Sequence, residues 1–295
     1  MSLHFGYKTQ TRIWHGLIIL IIGLVCIVFM VPLVLIFSAS FTSSEALANT
    51  GYRLIPPRFS LEAYEFLLND PSIVTRAYGV SIFVTLVGTG IGVTVMSMLA
   101  FVLSRRDLKL RGLLTFYIFF TMLFSGGLVP YYINMVRTLH LKNTVTALIL
   151  PYLVSPFYVL LLRTYFTSLP KELFDSAKID GAGEFRIFYQ IAVPLSVPAI
   201  LTISLFLLLV YWNDMFQALL FIESTRLWPL QYTLYNMIVS MSQVSEMAMQ
   251  IGKPVPALSV RMAMAVLALG PVILAFPFVQ RYFVRGITLG SIKGD

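Results

Sequence analysis

Long apolar runs without charge, separated by short polar links, form the dominant pattern along the chain. Six of these runs approach or exceed the roughly 18 residues that a helix needs to cross the hydrocarbon core of a bilayer. A helix pairs its own backbone groups there, whereas the strands of a membrane barrel would show short alternating segments. The pattern therefore predicts an all-α polytopic membrane protein with six transmembrane helices at about Gly16–Ser38, Tyr78–Ser104, Gly112–Val136, Asn143–Leu162, Val197–Leu220 and Met262–Gln280.

Small residues and prolines add detail to these predicted helices. Gly88 and Gly92 have the GxxxG spacing that lets a neighbouring helix approach closely, and we assign them to packing. Prolines in or near the spans, among them Pro151 and Pro156, predict kinks.

Composition and charge support a membrane protein and orient it. The chain is 58% hydrophobic and 12% charged, with a formal net charge of +8. Its basic residues are scattered singly or in one tight cluster, which argues against a nucleic-acid surface and favours orientation by cytoplasmic positive charge. Both termini are predicted to be cytoplasmic because basic residues flank the first span, crowd the link between the second and third, and follow the sixth: Lys8, Arg12, Arg105, Arg106, Lys109, Arg111, Arg281, Arg285 and Lys293.

This orientation divides the chain into four parts. We predict a cytoplasmic N-terminus at 1–13, a first helix with its external segment at 14–76, a five-helix core at 77–281, and a cytoplasmic tail at 282–295. The first apolar run lacks a small-residue cleavage site, so it is interpreted as a retained anchor. A long, methionine-rich stretch from about Glu223 to Val260 is predicted to be an external loop.

A polar, glycine-containing segment, DSAKIDGAGEF, interrupts the apolar pattern between the fourth and fifth predicted spans. Ser168 is predicted to cap a short amphipathic helix that ends at Gly181, because glycine tolerates the left-handed conformation of a helix stop. A second amphipathic helix is predicted to start at Glu184. Such a segment is typical of a connector resting on lipid headgroups or of a docking site for a cytoplasmic partner, and periodicity does not distinguish the two.

The residues around this segment resemble the signature of the permeases of bacterial ABC importers. That signature has an E-A-A triplet, a glycine at a fixed spacing and a later I-x-x-P-L. Here the triplet reads Asp175, Ser176 and Ala177, with aspartate replacing glutamate and serine replacing alanine. Gly181 supplies the glycine, and the ending is Ile191, Pro194 and Leu195. The stretches FSGGLVPYYINMVRTLHLKNT, VYWNDMFQALLFI and PFVQRYFVRGITLGSIKGD extend the resemblance to the carbohydrate-uptake branch, specifically its permeases for oligosaccharides and polysaccharide fragments.

The resemblance implies a type I ABC importer permease fold in the bacterial inner membrane. The partners it implies are a second related permease, two cytoplasmic ATPase subunits that bind ATP and Mg, and an external solute-binding protein; the chain itself is expected to hold no cofactor. The segment at 170–189 would then be the coupling helix seated on an ATPase subunit, with contacts from Leu173, Phe174, Asp175, Ala177, Lys178, Asp180 and Gly181. The tail would contact the ATPase subunits through Gly286, Gly290, Ser291, Lys293 and Gly294.

Candidates for the substrate path are aromatic and amide side chains at the edges of the third and fifth spans. Aromatic rings suit the apolar faces of sugars, and amides suit their hydroxyls. The residues are Tyr131, Tyr132, Asn134, Trp212, Asn213, Asp214 and Gln217. An interfacial aromatic belt with interhelical hydrogen bonds would explain the same pattern.

Enzymatic and gradient-driven alternatives find less support in the sequence. Gly252 and Lys253 are followed by Pro254 and lack the other residues of a phosphate-binding loop, so no ATP site is predicted in this chain. The three histidines are scattered and have no metal-ligand spacing. A gradient-driven carrier would need ionisable relays, of which the spans offer little beyond Asp214, and an ABC permease for a non-sugar solute stays open as an alternative.

Overall fold

The computed structural model describes residues 3–251 and 257–290, with side-chain placement for 14–241 and 257–273. Within these ranges the chain is mostly helical and has no β-strand beyond one antiparallel bridge between Thr42 and Phe59. The α-helices in chain order are α1 Leu3–Ser40, α2 Ser44–Thr50, α3 Glu62–Leu67, α4 Pro71–Ser104, α5 Arg111–Leu123, α6 Leu128–Ile133, α7 Thr146–Ile149, α8 Pro156–Ser168, α9 Lys171–Ile179, α10 Glu184–Ile187, α11 Val193–Leu195, α12 Val197–Asn213, α13 Phe216–Phe221, α14 Leu230–Ile251 and α15 Ala257–Gly290.

Two of these helices are long and apolar enough to cross a bilayer without a break. They are the Trp14–Ser40 part of α1, with a mean hydropathy of 3.3, and all of α4, with 2.1. The α1 stretch buries none of its most apolar window inside the protein, whereas half of the corresponding α4 window is buried. Both helices contain predicted spans and begin several residues before them.

Three further apolar stretches are bent, as the prolines in or near them predicted. Helix α5 and the Leu128–Thr138 stretch meet at 112°, the Thr146–Tyr152 stretch and α8 at 49°, and the Glu184–Leu195 stretch and α12 at 82°. The first break contains Gly126 and Gly127, the latter at a φ of 85°. Pro156 begins α8 after the second break, where a proline needs no backbone donor. Hydropathy records the length of an apolar run but not its direction.

The structure corrects the prediction of a loop at Glu223–Val260, because this stretch contains the 22-residue helix α14. No glycine or proline lies between Leu230 and Ile251, and this absence was the missed signal of a helix. Pro229 directly precedes it. The sixth predicted span falls within α15, whose described apolar part is Ala257–Ile273.

The chain divides into two compact units. The first comprises Met1–Pro71 and Met237–Gly270. Within it, the hydroxyls of Ser44 and Ser259 lie 2.6 Å apart, and Tyr64 donates a hydrogen bond to Ser40. The Phe41 ring stacks on Phe59, with ring centroids 5.6 Å apart. These contacts hold the segment after α1 as an ordered structure instead of an open loop.

The second unit comprises Ser72–Asn236 and Pro271–Asp295 and holds the main apolar core. Helix α4 lies in this core with its glycine face against α12. A Cβ atom added to Gly88 would lie 2.5 Å from Cζ of Tyr211, and one added to Gly92 would lie 2.8 Å from Cδ2 of Leu207. The predicted close approach at the GxxxG face is therefore confirmed, with α12 as the neighbour.

Candidate functional site

The segment Lys171–Ile187, here called the α9–α10 segment, forms the predicted helix, turn and second helix. Helix α9 begins after Pro170, with Glu172 in its first turn, where a negative charge suits the helix dipole. Ser168 does not cap it, because its hydroxyl donates to the carbonyl of Tyr165 in the preceding helix. The capping prediction was wrong because α8 continues through Ser168, so this serine serves the end of one helix and not the start of the next.

Gly181 ends α9 as predicted. Its φ of 78° lies in the left-handed region that glycine adopts most readily. The Gly181 amide donates to the carbonyl of Lys178, and the Ala182 amide donates to that of Ala177. These are the two bonds of a Schellman stop, which satisfies carbonyls at the end of a helix.

One side of α9 is buried and the other is exposed. Phe174 is buried, and its ring lies 6.2 Å from that of Phe101 in α4. Ala177 is half-buried, whereas Leu173, Asp175 and Asp180 are exposed. The predicted contact residues thus divide into those that fasten the helix and those that face outward.

Lys178 points into an ion-pair cluster that sequence reasoning missed. Its ammonium lies 3.2 Å from the carboxylate of Asp107 and 3.1 Å from that of Glu184, and Arg105 pairs with both acids. The pairing with Glu184 and Asp107 raises the pKa of Lys178, and the hydrogen bond from Lys178 lowers the pKa of Asp107. The stabilisation that Asp107 contributes is therefore present above about pH 4 and is lost as the pH falls below that value. The stabilisation that Lys178 contributes is present below about pH 10 and is lost as the pH rises above that value.

A second polar cluster lies where α12 ends and α13 begins. The Tyr131 hydroxyl donates to Oε1 of Gln217 at 2.6 Å, and the Tyr152 hydroxyl donates to Oδ1 of Asp214 at 2.7 Å. The backbone N–H of Gln217 in turn donates to the Asp214 carboxylate, which caps the start of α13. The structure thus brings three of the predicted substrate-path residues together and adds Tyr152, which sequence reasoning missed.

The other predicted substrate-path residues lie in different surroundings. The Tyr132 ring stacks on Phe221 with centroids 5.7 Å apart. Trp212 is buried, with its ring 6.3 Å from that of Tyr78, and the Asn213 side chain donates to the carbonyl of Leu209. Asn134 and Tyr131 line an open cleft of ≈ 520 Å³ at the bend between α5 and α6, together with Ser125, Gly126, Gly127, Leu128 and Pro130.

The described residues hold no group of three or more histidine, cysteine, aspartate or glutamate side chains that could bind a metal ion. Of the predicted tail contacts, Gly286 and Gly290 belong to α15. Ser291, Lys293 and Gly294 lie outside the described residues.

Comparisons with known proteins agree with this architecture. Residues 6–289 match the family described as binding-protein-dependent transport system inner membrane component. The polygalacturonan/rhamnogalacturonan transport system permease protein YtcP of Bacillus subtilis (strain 168) is 40% identical over 278 residues, which cover 94% of this chain and 96% of that protein. Protein LplC of the same organism is 37% identical over 296 residues, covering 99% of each chain.

A solved structure shares the fold as well. It is a crystal structure of a bacterial ABC transporter involved in the import of the acidic polysaccharide alginate. One of its chains superposes with a TM-score of 0.81 at 28% identity, and the match covers 93% of this chain and 98% of that one. The chain therefore belongs to the family of binding-protein-dependent transport system inner membrane components, which are transport subunits and not enzymes.

Proposed function

We propose that this chain is the permease subunit of an ATP-driven, binding-protein-dependent importer of oligosaccharides or polysaccharide fragments. The observation that carries the proposal is the α9–α10 segment, in which Phe174 fastens α9 to the apolar helical core and the Schellman stop at Gly181 ends α9. The printed names of YtcP and of the alginate transporter support a carbohydrate cargo.

In this proposal the α9–α10 segment is the cytoplasmic coupling helix. Its exposed residues Leu173, Asp175 and Asp180 contact one of two ATPase subunits, which bind ATP and Mg, and the tail after α15 contacts them as well. Six spans, two of them unbroken, three bent and one formed by α15, place both termini in the cytoplasm. A second related permease and an external solute-binding protein complete the importer.

The substrate path in this proposal includes the polar cluster of Tyr131, Tyr152, Asp214 and Gln217. The open cleft next to Tyr131 and Asn134 gives a sugar access to an aromatic ring and an amide side by side. Such pairs suit the apolar ring face and the hydroxyls of a sugar. The cluster also lies next to the bend between α5 and α6 and the break between α12 and α13. A change in the angle at either place would change the shape of the path.

A matched pair of glycine substitutions tests the coupling role. Gly181→Val forces a branched side chain into left-handed backbone, at a cost of about 1–2 kcal/mol that we expect to lower uptake about tenfold. Gly183→Val is the control, because Gly183 has a φ of −71° and no atom within 4 Å of an added Cβ. The measurement uses proteoliposomes that contain the whole complex. It follows their uptake of oligosaccharides prepared from polygalacturonan. Normal uptake with Gly181→Val would contradict the coupling role of α9.

A further inference from the structure

Four charged side chains form a closed ring between the link after α4 and the α9–α10 segment. Arg105 lies 3.7 Å from Asp107 and 3.4 Å from Glu184, and Lys178 lies 3.2 Å from Asp107 and 3.1 Å from Glu184. Each cation therefore meets both carboxylates, so the charges alternate around the ring and cancel. We call this set the charge ring.

Arg105 anchors the charge ring in the apolar core. Its side chain is 15% exposed, against 60% for Asp107 and 54% for Glu184. The guanidinium carbon lies 5.7 Å from the centre of the Phe101 ring and 5.2 Å from that of Phe174. Phe101 belongs to α4 and Phe174 is the buried residue of α9. A planar guanidinium that meets two rings and two acids fixes the orientation of both helices, which an isolated surface ion pair does not.

The charge ring joins parts of the chain that are far apart in sequence. Arg105 and Glu184 are 79 residues apart, and Asp107 and Lys178 are 71 residues apart. The Schellman stop at Gly181 reverses the chain between Lys178 and Glu184, which brings their side chains to the same two partners. The geometry of the ring therefore depends on the stop that ends α9.

A continuous path of contacts leads from the charge ring to the polar cluster. Helix α4 carries Arg105 just beyond its end, and its Gly88 and Gly92 meet Tyr211 and Leu207 of α12. Helix α12 ends at Asn213, directly before Asp214 of the polar cluster. A displacement of α9 that is transmitted through α4 would therefore reach the breaks of the helices around the proposed substrate path.

We propose that Arg105 and Asp107 are positioning residues of the importer, which hold the α9–α10 segment and the end of α4 together as one rigid body through the charge ring. This inference rests on the proposed coupling role of α9. With the ring closed, ATPase movement at α9 carries α4 with it. With the ring open, α9 moves alone and ATP is hydrolysed without transport.

Spin labels measure the rigid attachment directly. In a Cys26→Ser background, which removes the only cysteine, labels are placed at Val102→Cys and Glu172→Cys, both at exposed positions. We expect a narrow distance distribution in the assembled complex in nanodiscs, and one about twice as wide with Asp107→Asn or Lys178→Gln, since each opens the ring. The double variant should be no wider than either single one. An unchanged width in all three would overturn the inference.

Two variants serve as controls: one removes a charge outside the ring, and the other keeps the carboxylate. Arg106→Gln removes a positive charge from the same link, and Arg106 is exposed and has no ion pair within the described part of the chain. Asp107→Glu keeps the carboxylate. Both should keep the narrow distribution. A width that rises equally in Arg106→Gln would show that net charge alone, and not the ring, holds α9.

Transport gives the functional readout in the same complex. Asp107→Asn should keep basal ATP hydrolysis within about twofold while lowering oligosaccharide uptake per ATP severalfold, because Asp107 is not among the predicted ATPase contacts and the ATP site lies in other chains. Loss of the ATPase subunits during purification of this variant would mean that the charges bind the ATPase directly, and would overturn the inference. If Gly181→Val uncouples transport but the ring variants have no effect, the positioning role of the charge ring is overturned and the coupling role of α9 stands. Normal transport with Gly181→Val overturns the coupling role of α9 and the ring's part in it together.

Discussion

At the scale of single residues, the contact between Gly88 and Tyr211 shows how a missing side chain becomes a structural requirement. Tyr211 is 3% exposed, and its hydroxyl donates to the carbonyl of Ile149 at 2.7 Å. This carbonyl belongs to the last residue of α7, where regular α-helical hydrogen bonding ends. The tyrosine therefore cannot move away from α4 without breaking this part-buried hydrogen bond, which is costly in an apolar surrounding.

This fixed position makes Gly88→Ala destabilising. The added Cβ would lie 2.5 Å from Cζ of Tyr211, and we expect a loss of about 1–3 kcal/mol from overpacking. Gly90→Ala in the same helix is the control, since nothing lies within 4 Å of its added Cβ. Thermal unfolding of the detergent-purified complex measures both. Equal losses in the two variants would show that helix flexibility, and not the tyrosine, is responsible.

Sequence reasoning at this scale succeeded where spacing is local and failed where partners are distant. The four-residue spacing of Gly88 and Gly92 predicted close packing but could not name Tyr211, which is more than 100 positions away. Lys178 was predicted to contact the ATPase, and its ion pairs with Asp107 and Glu184 within the chain were not foreseen. The clustered Arg105 was interpreted only as an orientation signal, because nothing near it in sequence indicated its contacts with Phe174 and Glu184.

At the scale of elements, the broken helices distinguish this fold from a simple six-helix bundle. Tyr131 follows the 112° bend between α5 and α6, and Gln217 follows the break between α12 and α13. Their hydrogen bond therefore joins the second halves of two interrupted helices. Glycines and prolines marked these regions in the sequence, but the angle of each bend depends on packing between helices that the sequence does not display.

Removing that hydrogen bond tests whether it holds the two breaks together. Tyr131→Phe leaves Oε1 of Gln217, a residue that is 5% exposed, without this donor, and we expect a loss of about 1–2 kcal/mol of stability. Tyr132→Phe is the matched control, because the stacking of its ring on Phe221 does not need the hydroxyl. Thermal unfolding and oligosaccharide uptake are measured for both. The idea fails if Tyr132→Phe is as harmful as Tyr131→Phe.

At the scale of the whole molecule, the proposed orientation makes a prediction for labelling in cells. In a Cys26→Ser background, a membrane-impermeant thiol reagent should label Thr225→Cys in intact spheroplasts. It should label Lys109→Cys only after the membrane is opened, because basic links stay on the cytoplasmic side. Both positions are exposed, so access to the protein surface is matched. Labelling of Lys109→Cys alone in intact spheroplasts would invert the proposed topology.

The two candidate regions also differ in how they are encoded. The Schellman stop uses backbone bonds among Ala177, Lys178, Gly181 and Ala182, all within six consecutive positions. The polar cluster draws on side chains from α6, the turn after α7, and the α12–α13 break. If the α9–α10 segment binds the ATPase as proposed, gene duplication can preserve this short stretch of sequence while the scattered residues of the polar cluster drift. A single ATPase could then power permeases whose cargoes have diverged.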